Sequence, residues 1–582
     1  MAGIPQPMEA LSTKLLKLDG LSFKTYMELL NQSFHHPSFK VGFDHIQGSP
    51  GAFPASVARL TMDQSELGLH SGCLSNTARR VAASDFLLRA FQQSVSAHTR
   101  GNRGARGSGS FQVLHLPPEV LERNVVRCDA GRVQIAFHIS LPGSFDNRIL
   151  GRQADVMMTR ELTEVVRAFK ASVNQSEQLK RHCDVIEDWA HMQAALSHYG
   201  LIAFIGDGAV LPRETGASQA PLKEGAVAFR APDRMAVEVD FPNAGPIRGL
   251  GIRPGVNVLI GGGFHGKSTV VNALVKGVYP HIPGDGRERV ISHPDALFIC
   301  AEEGRAIHGV DISGFIGELP GNVDSTRFHT QNASGSTSEA AAIVEAVQAG
   351  ARFLLIDEDS SATNFLIRDS NMRRLIPKDP ITPLFDRVRE LYKRFGVSTL
   401  IVAGGSSDYL AVARHVIAMR NYQPVCMTGQ AGGLGLPEPE NSPVPLSILD
   451  KRELSADNFD PAYEARRLGK TLATRIKPLR LQDRVLEYGN TKLDLSKLRA
   501  LVDPHQLLAL GHALLLGRSA LRQKALSPSE LATALSQKID REGLGILSQD
   551  AARPLFLARP RRLELAGAIN RLRNLKVEIS AA

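Results

Sequence analysis

Short, uncharged apolar runs alternate with longer amphipathic segments through the middle of the chain. Residues 256–260, 353–356 and 398–402 read VNVLI, FLLI and STLIV, and turn or polar residues bound each run. Runs of this length with so few polar positions are typical of strands that are buried on both faces. Because amphipathic segments lie between them, the pattern predicts a mostly parallel α/β sheet in this part of the chain.

The pattern changes twice along the 582 residues, which predicts three domains. Residues 1–211 mix helical periodicity with short strand-like runs. Residues 212–445 carry the α/β alternation and end in a stretch rich in glycine and proline. Residues 446–582 are predominantly helical in their periodicity. We therefore expect an α+β N-terminal domain, an α/β core and a mainly helical C-terminal domain.

A glycine-rich loop follows the first of these predicted strands and precedes a predicted helix. It has the spacing G-x4-G-K-S, in which consecutive backbone N–H groups can surround phosphates and the helix N-terminus adds positive potential. The lysine can reach the β- and γ-phosphates of ATP and assist catalysis, and the serine hydroxyl can ligate Mg²⁺. The nucleotide-binding residues predicted here are Gly261, Gly262, Gly263, Phe264, His265, Gly266, Lys267, Ser268 and Thr269.

Two acids end the second predicted strand. Asp357 follows the four apolar residues of that strand and Glu358 comes directly after it. Together with the P-loop upstream, this arrangement predicts that Asp357 and Ser268 hold Mg²⁺. It predicts that Glu358 orients or deprotonates the water that attacks the γ-phosphate.

A third motif identifies the class of P-loop protein. Ser334, Gly335 and Ser336 precede a predicted helix just upstream of the Asp357 strand, where ATPases of the ABC class carry their signature sequence. A helix N-terminus at this point could contact the γ-phosphate of an ATP bound to a second copy of the chain. Taken alone, the same residues fit an ordinary helix cap. Residues 361–364 read SATN and match the D-loop that follows the acids in ABC ATPases.

These motifs together resemble the family of predicted ATPases of the ABC class. The resemblance covers nearly the whole chain and includes HIPGDGRE at residues 281–288 and GGSSDY at 404–409. It implies a P-loop NTPase core of ABC type with flanking N- and C-terminal domains, ATP and Mg²⁺ as ligands, and a head-to-tail homodimer. It also implies an association with RNA, since kinetoplastid mitochondrial members are linked to RNA processing. Where most ABC ATPases place a switch histidine, this chain has Ala403 and Gly404, so we expect slow hydrolysis.

All of the net charge of +9 lies in the C-terminal third of the chain. Residues 446–582 contain 24 lysine and arginine residues against 15 acids, and the preceding residues are neutral. This imbalance is consistent with an RNA or another polyanion bound through phosphates, or with a slightly basic solvated domain whose arginines pair with local acids such as Glu564. The candidate phosphate-binding residues are Arg553, Arg559, Arg561, Arg562, Arg571, Arg573 and Lys576.

Two functional hypotheses follow. In the first, the chain is an ATPase that couples slow hydrolysis in a head-to-tail dimer to a nucleic-acid client. In the second, it is a nucleic-acid-binding module in which ATP is a structural or switching ligand. The base of the nucleotide could stack on Phe241, although a phenylalanine at that position is also typical of a core.

Cysteine usage and hydropathy bear on location. The five cysteines are dispersed without a C-x-x-C spacing, which is typical of a reducing compartment rather than of a disulfide framework. No apolar run approaches the roughly 18 residues needed to cross a bilayer. We expect an intracellular protein of the cytoplasm or the mitochondrial matrix.

Overall fold

The computed structural model describes residues 6–579 of the chain, apart from residues 53, 130, 175–176, 217, 322, 369–374, 376–378, 437–438, 440–443, 462–475, 481–483, 490 and 549–555. The chain forms two compact units. One comprises Met1–Glu187 with Leu544–Ala558, and the other comprises Asp188–Gly543 with Arg559–Ala582. In the part of the chain that the structure describes, each helix is too short or too polar to cross a membrane.

The first unit is built on a seven-stranded sheet with the order β1-β2-β3-β4-β7-β5, in which β6 also pairs with β7. All pairs except β1–β2 are antiparallel. Its strands are β1 (Gln6–Pro7), β2 (Ser33–His36), β3 (Phe39–His45), β4 (Ser56–Asp63), β5 (Ser110–Phe111), β6 (Val126–Asp129) and β7 (Arg132–Ser140). The helices that accompany them are α1 (Met8–Lys17), α2 (Thr77–His98), α3 (Gly151–Asp155), α4 (Leu162–Val173) and α5 (Glu177–Ala195).

The second unit begins with a four-stranded antiparallel sheet of order β12-β8-β10-β9. Its strands are β8 (Ala203–Gly206), β9 (Ala236–Phe241), β10 (Gly245–Ile252) and β12 (Val290–Ser292). Phe241 contributes to the buried core under this sheet, together with Trp189 and Phe204. It is therefore a core residue.

The main sheet of the second unit has the order β13-β16-β17-β11-β18-β19 and is parallel except for the last pair. The strands are β11 (Val256–Ile260), β13 (Ala296–Ile299), β16 (Phe353–Asp357), β17 (Ser398–Val402), β18 (His415–Arg420) and β19 (Gln423–Cys426). Its helices are α6 (Lys267–Lys276), α7 (Gly335–Gln348), α8 (Thr363–Leu366), α9 (Leu384–Phe395), α10 (Tyr409–Val412) and α11 (Thr428–Ala431), and β14 (Ile307–Val310) pairs with β15 (Phe328–Thr330) beside it.

This sheet confirms the α/β core that the apolar runs predict. The three predicted strands lie next to one another in the middle of the sheet, and all three are buried. Because the strands are parallel, the residues that follow them lie at one edge of the sheet. We call this the carboxyl edge, and it consists of Gly261, Cys300, Glu358 and Ala403 with the residues that directly follow each of them.

The C-terminal part of the second unit is mainly helical, as predicted. Three helices, α12 (Pro504–Leu521), α13 (Pro528–Glu542) and α14 (Arg562–Asn570), account for most of its regular structure. The sequence pattern did not predict its two small sheets, which pair β20 (Arg452–Leu454) with β24 (Val577–Ile579) and join β21 (Ile476–Arg480), β22 (Val485–Tyr488) and β23 (Thr491–Asp494).

Local sequence explains where two of these helices begin. Asp503 and Ser527 each accept a hydrogen bond from the first turn of the helix that follows, and Gln506 and Glu530 return one to the cap backbone. Each helix also starts with proline, whose fixed φ suits the first helical position. These two capping boxes are readable directly in the sequence.

Candidate nucleotide site at the carboxyl edge

The P-loop turns sharply between β11 and α6. Gly261 has φ 145° and Gly266 has φ 93°, a region that residues with a side chain rarely adopt. A Cβ on Gly261 would lie 2.6 Å from the carbonyl oxygen of Met419 in the neighbouring strand. The glycines therefore let the loop pass close to β18 and begin α6 at Lys267, with the N-terminus of that helix directed at the loop.

The ammonium of Lys267 lies across this loop. Its Nζ donates hydrogen bonds to the carbonyl oxygens of Gly261 at 2.6 Å and Gly262 at 2.9 Å. No described carboxylate pairs with it. Phe264, at the tip of the loop, is 98% exposed. The positive charge is thus held only by neutral backbone groups, which a phosphate oxygen can replace because a charge-assisted hydrogen bond is stronger.

Ser268 and Asp357 meet beside the loop. Asp357 is the last residue of β16, and the Ser268 side chain lies close enough to its carboxyl group to favour the ionised form. Burial raises the pKa of Asp357, although a hydrogen bond from the Asp359 amide opposes the shift. Mg²⁺ prefers hard oxygen ligands such as a hydroxyl and a carboxylate. Ser268 and Asp357 place one of each beside the P-loop, so the two residues fit the Mg²⁺ ion that a P-loop implies.

Glu358 is fixed by the backbone that follows β17. Its Oε2 atom accepts hydrogen bonds from the amide N–H groups of Gly404 at 2.5 Å and Gly405 at 3.1 Å. The pairing of Asp357 with Val402 explains this proximity, because it brings the residues beyond each strand side by side. Sequence reasoning named Glu358 but missed both donors, since they follow a different strand.

The signature residues begin α7 and contact the D-loop. Ser334 caps the helix by accepting a hydrogen bond from the Thr337 amide at 3.3 Å. The hydroxyl of Ser336 donates to Asn364 at 2.9 Å. Among the described residues, no hydrogen bond joins 334–336 to the P-loop at 261–269. The cap that the sequence allows is therefore present.

A buried carboxyl group, Glu339, joins the same helix to the D-loop. It accepts a hydrogen bond from the Ala362 amide at 2.9 Å, and its other carboxyl oxygen has no hydrogen-bond partner. Burial raises the pKa of Glu339 to about 7, although hydrogen bonds from Ala362 and Ser361 oppose the shift. Sequence reasoning did not single out this residue, because its environment depends on the fold.

An apolar cavity of about 290 Å³ opens next to the P-loop. The turn between β18 and β19 forms one side of it, and there Asn421 and Tyr422 have φ 47° and 67°. Positive φ at a bulky residue such as tyrosine is uncommon and tends to occur at functional sites. The Asn421 amide donates to Nδ1 of His265 at 2.9 Å and so ties this turn to the P-loop. The lining comprises Leu211, Pro212, Leu222, Gly225, Ala226, Val227, Phe229, Gly266, Thr269, Val270, Met419 and Tyr422.

Most arginines of the predicted basic cluster in the C-terminal third form ion pairs with carboxylates. Arg559 pairs with Asp540, Arg561 with Glu564, Arg562 with Asp295 and Arg571 with Glu302, at distances of 2.7 to 3.0 Å. Arg573 donates to the backbone carbonyls of Gln331 and Gly304, and Lys576 lines a neighbouring cavity. Arg553 lies outside the described residues.

These four paired arginines do not form the exposed phosphate-binding cluster that the charge distribution suggested. The alternative, pairing with nearby acids such as Glu564, is what the structure supports for them. Two of the partner acids, Asp295 and Glu302, come from the core, so these ion pairs fasten the C-terminal helices to it.

Three family models match consecutive parts of the chain. They are the ABC ATPase P-loop domain over residues 175–442, the N-terminal domain of ATPases of the ABC class over 8–171, and the MRB1590 C-terminal domain over 481–578. Their order is the three-part order that the sequence predicts.

Two individual proteins are also similar to this chain. The uncharacterized protein MJ1628 of Methanocaldococcus jannaschii is 27% identical over 228 residues, which is 38% of this chain and spans only 50% of the length of that relative. The solved structure of MJ1267, an ATP-binding cassette of an ABC transporter in its ADP conformation, aligns with 34% of this chain and 91% of its own. Its TM-score is 0.23 and its identity 13%, a likeness too low to bear on fold or function.

The three family models, in the order in which the chain carries its motifs, show that this protein belongs to the ABC-class P-loop ATPases that combine a dedicated N-terminal domain with a C-terminal domain of the MRB1590 type.

Proposed function

We propose that the chain binds ATP with Mg²⁺ at the carboxyl edge and hydrolyses it slowly. The observation that carries this proposal is that Lys267, the Ser268–Asp357 pair and Glu358 all lie at one edge of one sheet. The P-loop amides and Lys267 bind the β- and γ-phosphates. Ser268 and Asp357 hold Mg²⁺, which neutralises charge on the phosphate oxygens when bound. Glu358 orients the attacking water and accepts its proton.

The base of the nucleotide, in this proposal, occupies the apolar cavity beside the P-loop. Gly266 and Thr269 border both the loop and the cavity, so a nucleotide with its phosphates in the loop can place its base there. Tyr422 and Phe229 offer aromatic surfaces for the base.

We further propose that two copies associate head to tail when ATP is bound. Ser334, Gly335 and Ser336 lie at a helix N-terminus, where anions are favoured, yet no hydrogen bond among the described residues joins them to their own P-loop. A second copy that presents these residues to the γ-phosphate would complete the site.

Calorimetric titration of Lys267→Ala with ATP tests the binding proposal. Loss of a charge-assisted contact worth about 1.5–3 kcal/mol predicts a drop in affinity of roughly tenfold or more. Lys276→Ala, on the same helix but at its far end, is the control and retains the affinity of the unmodified chain. Equal affinity of both variants would contradict the P-loop assignment.

Light scattering with and without saturating ATP tests the dimer. Glu358→Gln keeps the shape of the side chain but removes the base, so the ATP-bound state accumulates. We expect a doubling of mass with ATP for this variant, and its loss when Ser334 and Ser336 are both also changed to alanine. A monomer at saturating ATP would contradict the head-to-tail arrangement.

We propose that the C-terminal domain binds RNA. The support is the basic balance of this region and the resemblance to family members linked to RNA processing. The four paired arginines are unsuited to phosphates, whereas several exposed cations have no described carboxylate as partner. These cations are Lys492, Lys497, Arg522, Lys524 and Arg541.

Fluorescence anisotropy with labelled single-stranded RNA tests this client. Affinity falls with salt at a slope of about −0.7 per phosphate contact for single strands, so reversing Arg522 and Lys524 together predicts a flatter slope by roughly one to two units. Reversing Lys24 and Arg152 together in the first unit changes the net charge by the same amount and is the control. No binding by the full chain at low salt would end the RNA proposal and leave an ATPase of unknown client.

The domain boundaries at residues 211 and 445 also remain a proposal. Limited proteolysis followed by mass spectrometry tests them, since cleavage concentrates between compact domains.

A further inference from the structure

The turn after β17 occupies the place where most ABC ATPases carry a switch histidine, and in this chain it carries Gly404 and Gly405 instead. Both ends of the turn are anchored. The Ala403 amide donates to Leu259 in the P-loop strand at 3.0 Å, and the Tyr409 hydroxyl donates to the Leu366 carbonyl at 2.8 Å. Between these anchors, the two glycine amides point at Glu358.

The two hydrogen bonds fall on one oxygen of the Glu358 carboxylate. Oε2 accepts both of them, and no described residue donates a hydrogen bond to Oε1. A carboxylate fixed through one oxygen has a defined orientation and presents the other oxygen to a ligand. This is the geometry that a general base needs, because proton transfer from water depends on placement within hydrogen-bond distance.

Glycine at position 405 keeps the other oxygen accessible. A Cβ at Gly405 would lie 3.0 Å from Oε1 of Glu358, closer than such atoms normally approach. A Cβ at Gly404 would lie 3.6 Å from Oε2, which is an ordinary contact distance. Neither glycine has a positive φ, so both positions accept alanine without backbone strain.

We propose that the Gly404–Gly405 turn positions Glu358 for catalysis and does so in place of a switch histidine. The paired amides hold Oε2, and the missing side chain at position 405 leaves room for water at Oε1. The proposal rests on the proposed ATPase function and adds a positioning element to it.

Steady-state ATP hydrolysis by a matched set of alanine variants tests this proposal. Gly405→Ala pushes the carboxylate aside, and we expect kcat to fall roughly tenfold to a hundredfold, since displacements of about 1 Å have costs of that order. KM for ATP and the melting temperature stay unchanged. Gly404→Ala has a smaller effect on kcat. Gly429→Ala, at a glycine with nothing within 4 Å, gives the kcat of the unmodified chain.

A double-variant cycle separates positioning from a structural role. Once Glu358→Gln has removed the base, Gly405→Ala should reduce turnover no further, because both changes act through one carboxylate. Multiplicative losses in the double variant would overturn the proposal. Should Gly405→Ala fail to fold, Glu358→Asp tests the same claim, because the shorter side chain cannot reach both the amides and the water. We expect at least a tenfold loss in kcat, and full turnover would overturn the proposal.

The outcome also distinguishes this inference from the proposed function. Absence of ATP turnover in the unmodified chain would contradict the ATPase proposal and the positioning role together. Normal turnover in the unmodified chain with an equal kcat in Gly405→Ala would contradict the positioning role alone.

Discussion

The carboxyl edge and the C-terminal ion pairs both contain several charged side chains, but these side chains have different kinds of hydrogen-bond partner. At the edge, Lys267 donates to two carbonyl groups and Glu358 accepts from two amides, so among the described residues the hydrogen-bond partners of each charge are neutral backbone groups. Among the C-terminal helices, Arg561 faces the Glu564 carboxylate and Arg571 faces that of Glu302.

This difference distinguishes charges that are available to a ligand from charges that are part of the scaffold. A neutral partner is easily exchanged for a phosphate or a water, whereas separating a buried ion pair leaves an uncompensated charge. Density of arginine in the sequence is therefore a poor guide to a polyanion site here, and the nature of each partner is a better one.

The largest expected effect is on the scaffold side of this comparison. Arg561→Ala leaves the Glu564 carboxylate, which is fully buried, without its cation. Removing one partner of a buried pair typically costs about 3–5 kcal/mol. We expect a loss of that order in the free energy of unfolding from urea denaturation.

A double variant, Arg561→Met with Glu564→Leu, is the matched control for this prediction. Because it removes both charges, it should recover much of the loss. An Arg561→Ala variant as stable as the unmodified chain would show that the pair is not structural and would return Arg561 to the candidates for phosphate binding.

The next effect concerns Glu339, whose pKa is raised from 4.5 to about 7 in the folded chain. Between these values the folded state retains a proton that the unfolded state has lost, so stability falls as pH rises from about 4.5 and is lowest above about 7. Glu339→Gln removes this dependence. We expect the variant to match the unmodified chain at pH 4 and to exceed its stability by up to about 3 kcal/mol at pH 8.

Chemical denaturation of both proteins across this pH range measures the difference. If the difference in unfolding free energy between the variant and the unmodified chain did not change with pH, it would contradict a buried, protonated carboxyl group at Glu339. A stability difference that keeps widening above pH 7 would mean that burial raises the pKa of Glu339 beyond about 7.

The smallest effect is at the apolar cavity beside the P-loop. Tyr422→Ala removes the aromatic surface, and stacking worth about 0.5–1.5 kcal/mol predicts a loss of ATP affinity of roughly two- to tenfold. Tyr422→Phe keeps the ring and should keep the affinity. Equal losses in the two variants would show that the hydroxyl, and not stacking, is what matters.

Local patterns in the sequence predicted a large part of the fold and of the site. The apolar runs of the three central strands and the glycine spacing of the P-loop each lie within a short stretch of sequence. They could therefore be predicted without knowledge of the strand order. The signature cap and the two acids after β16 were predicted for the same reason.

Features that depend on strand order could not be predicted in this way. The amides of Gly404 and Gly405 reach Glu358 only because β16 and β17 are neighbours. Tyr422 borders the P-loop because β18 pairs with β11. The partner of Arg571 is 269 residues away, and no periodicity or composition reports such a contact.

Phosphate release by the unmodified chain and by Glu358→Gln, measured together with their ATP affinities, tests whether the carboxyl edge is an ATPase site with Glu358 as its general base. We expect slow, saturable, Mg²⁺-dependent release by the unmodified chain. We expect Glu358→Gln to bind ATP with unchanged affinity and to release phosphate at least about a hundredfold more slowly, as when a general base is removed. Equal release by the two proteins, or none by the unmodified chain, would contradict an ATPase centred on the carboxyl edge.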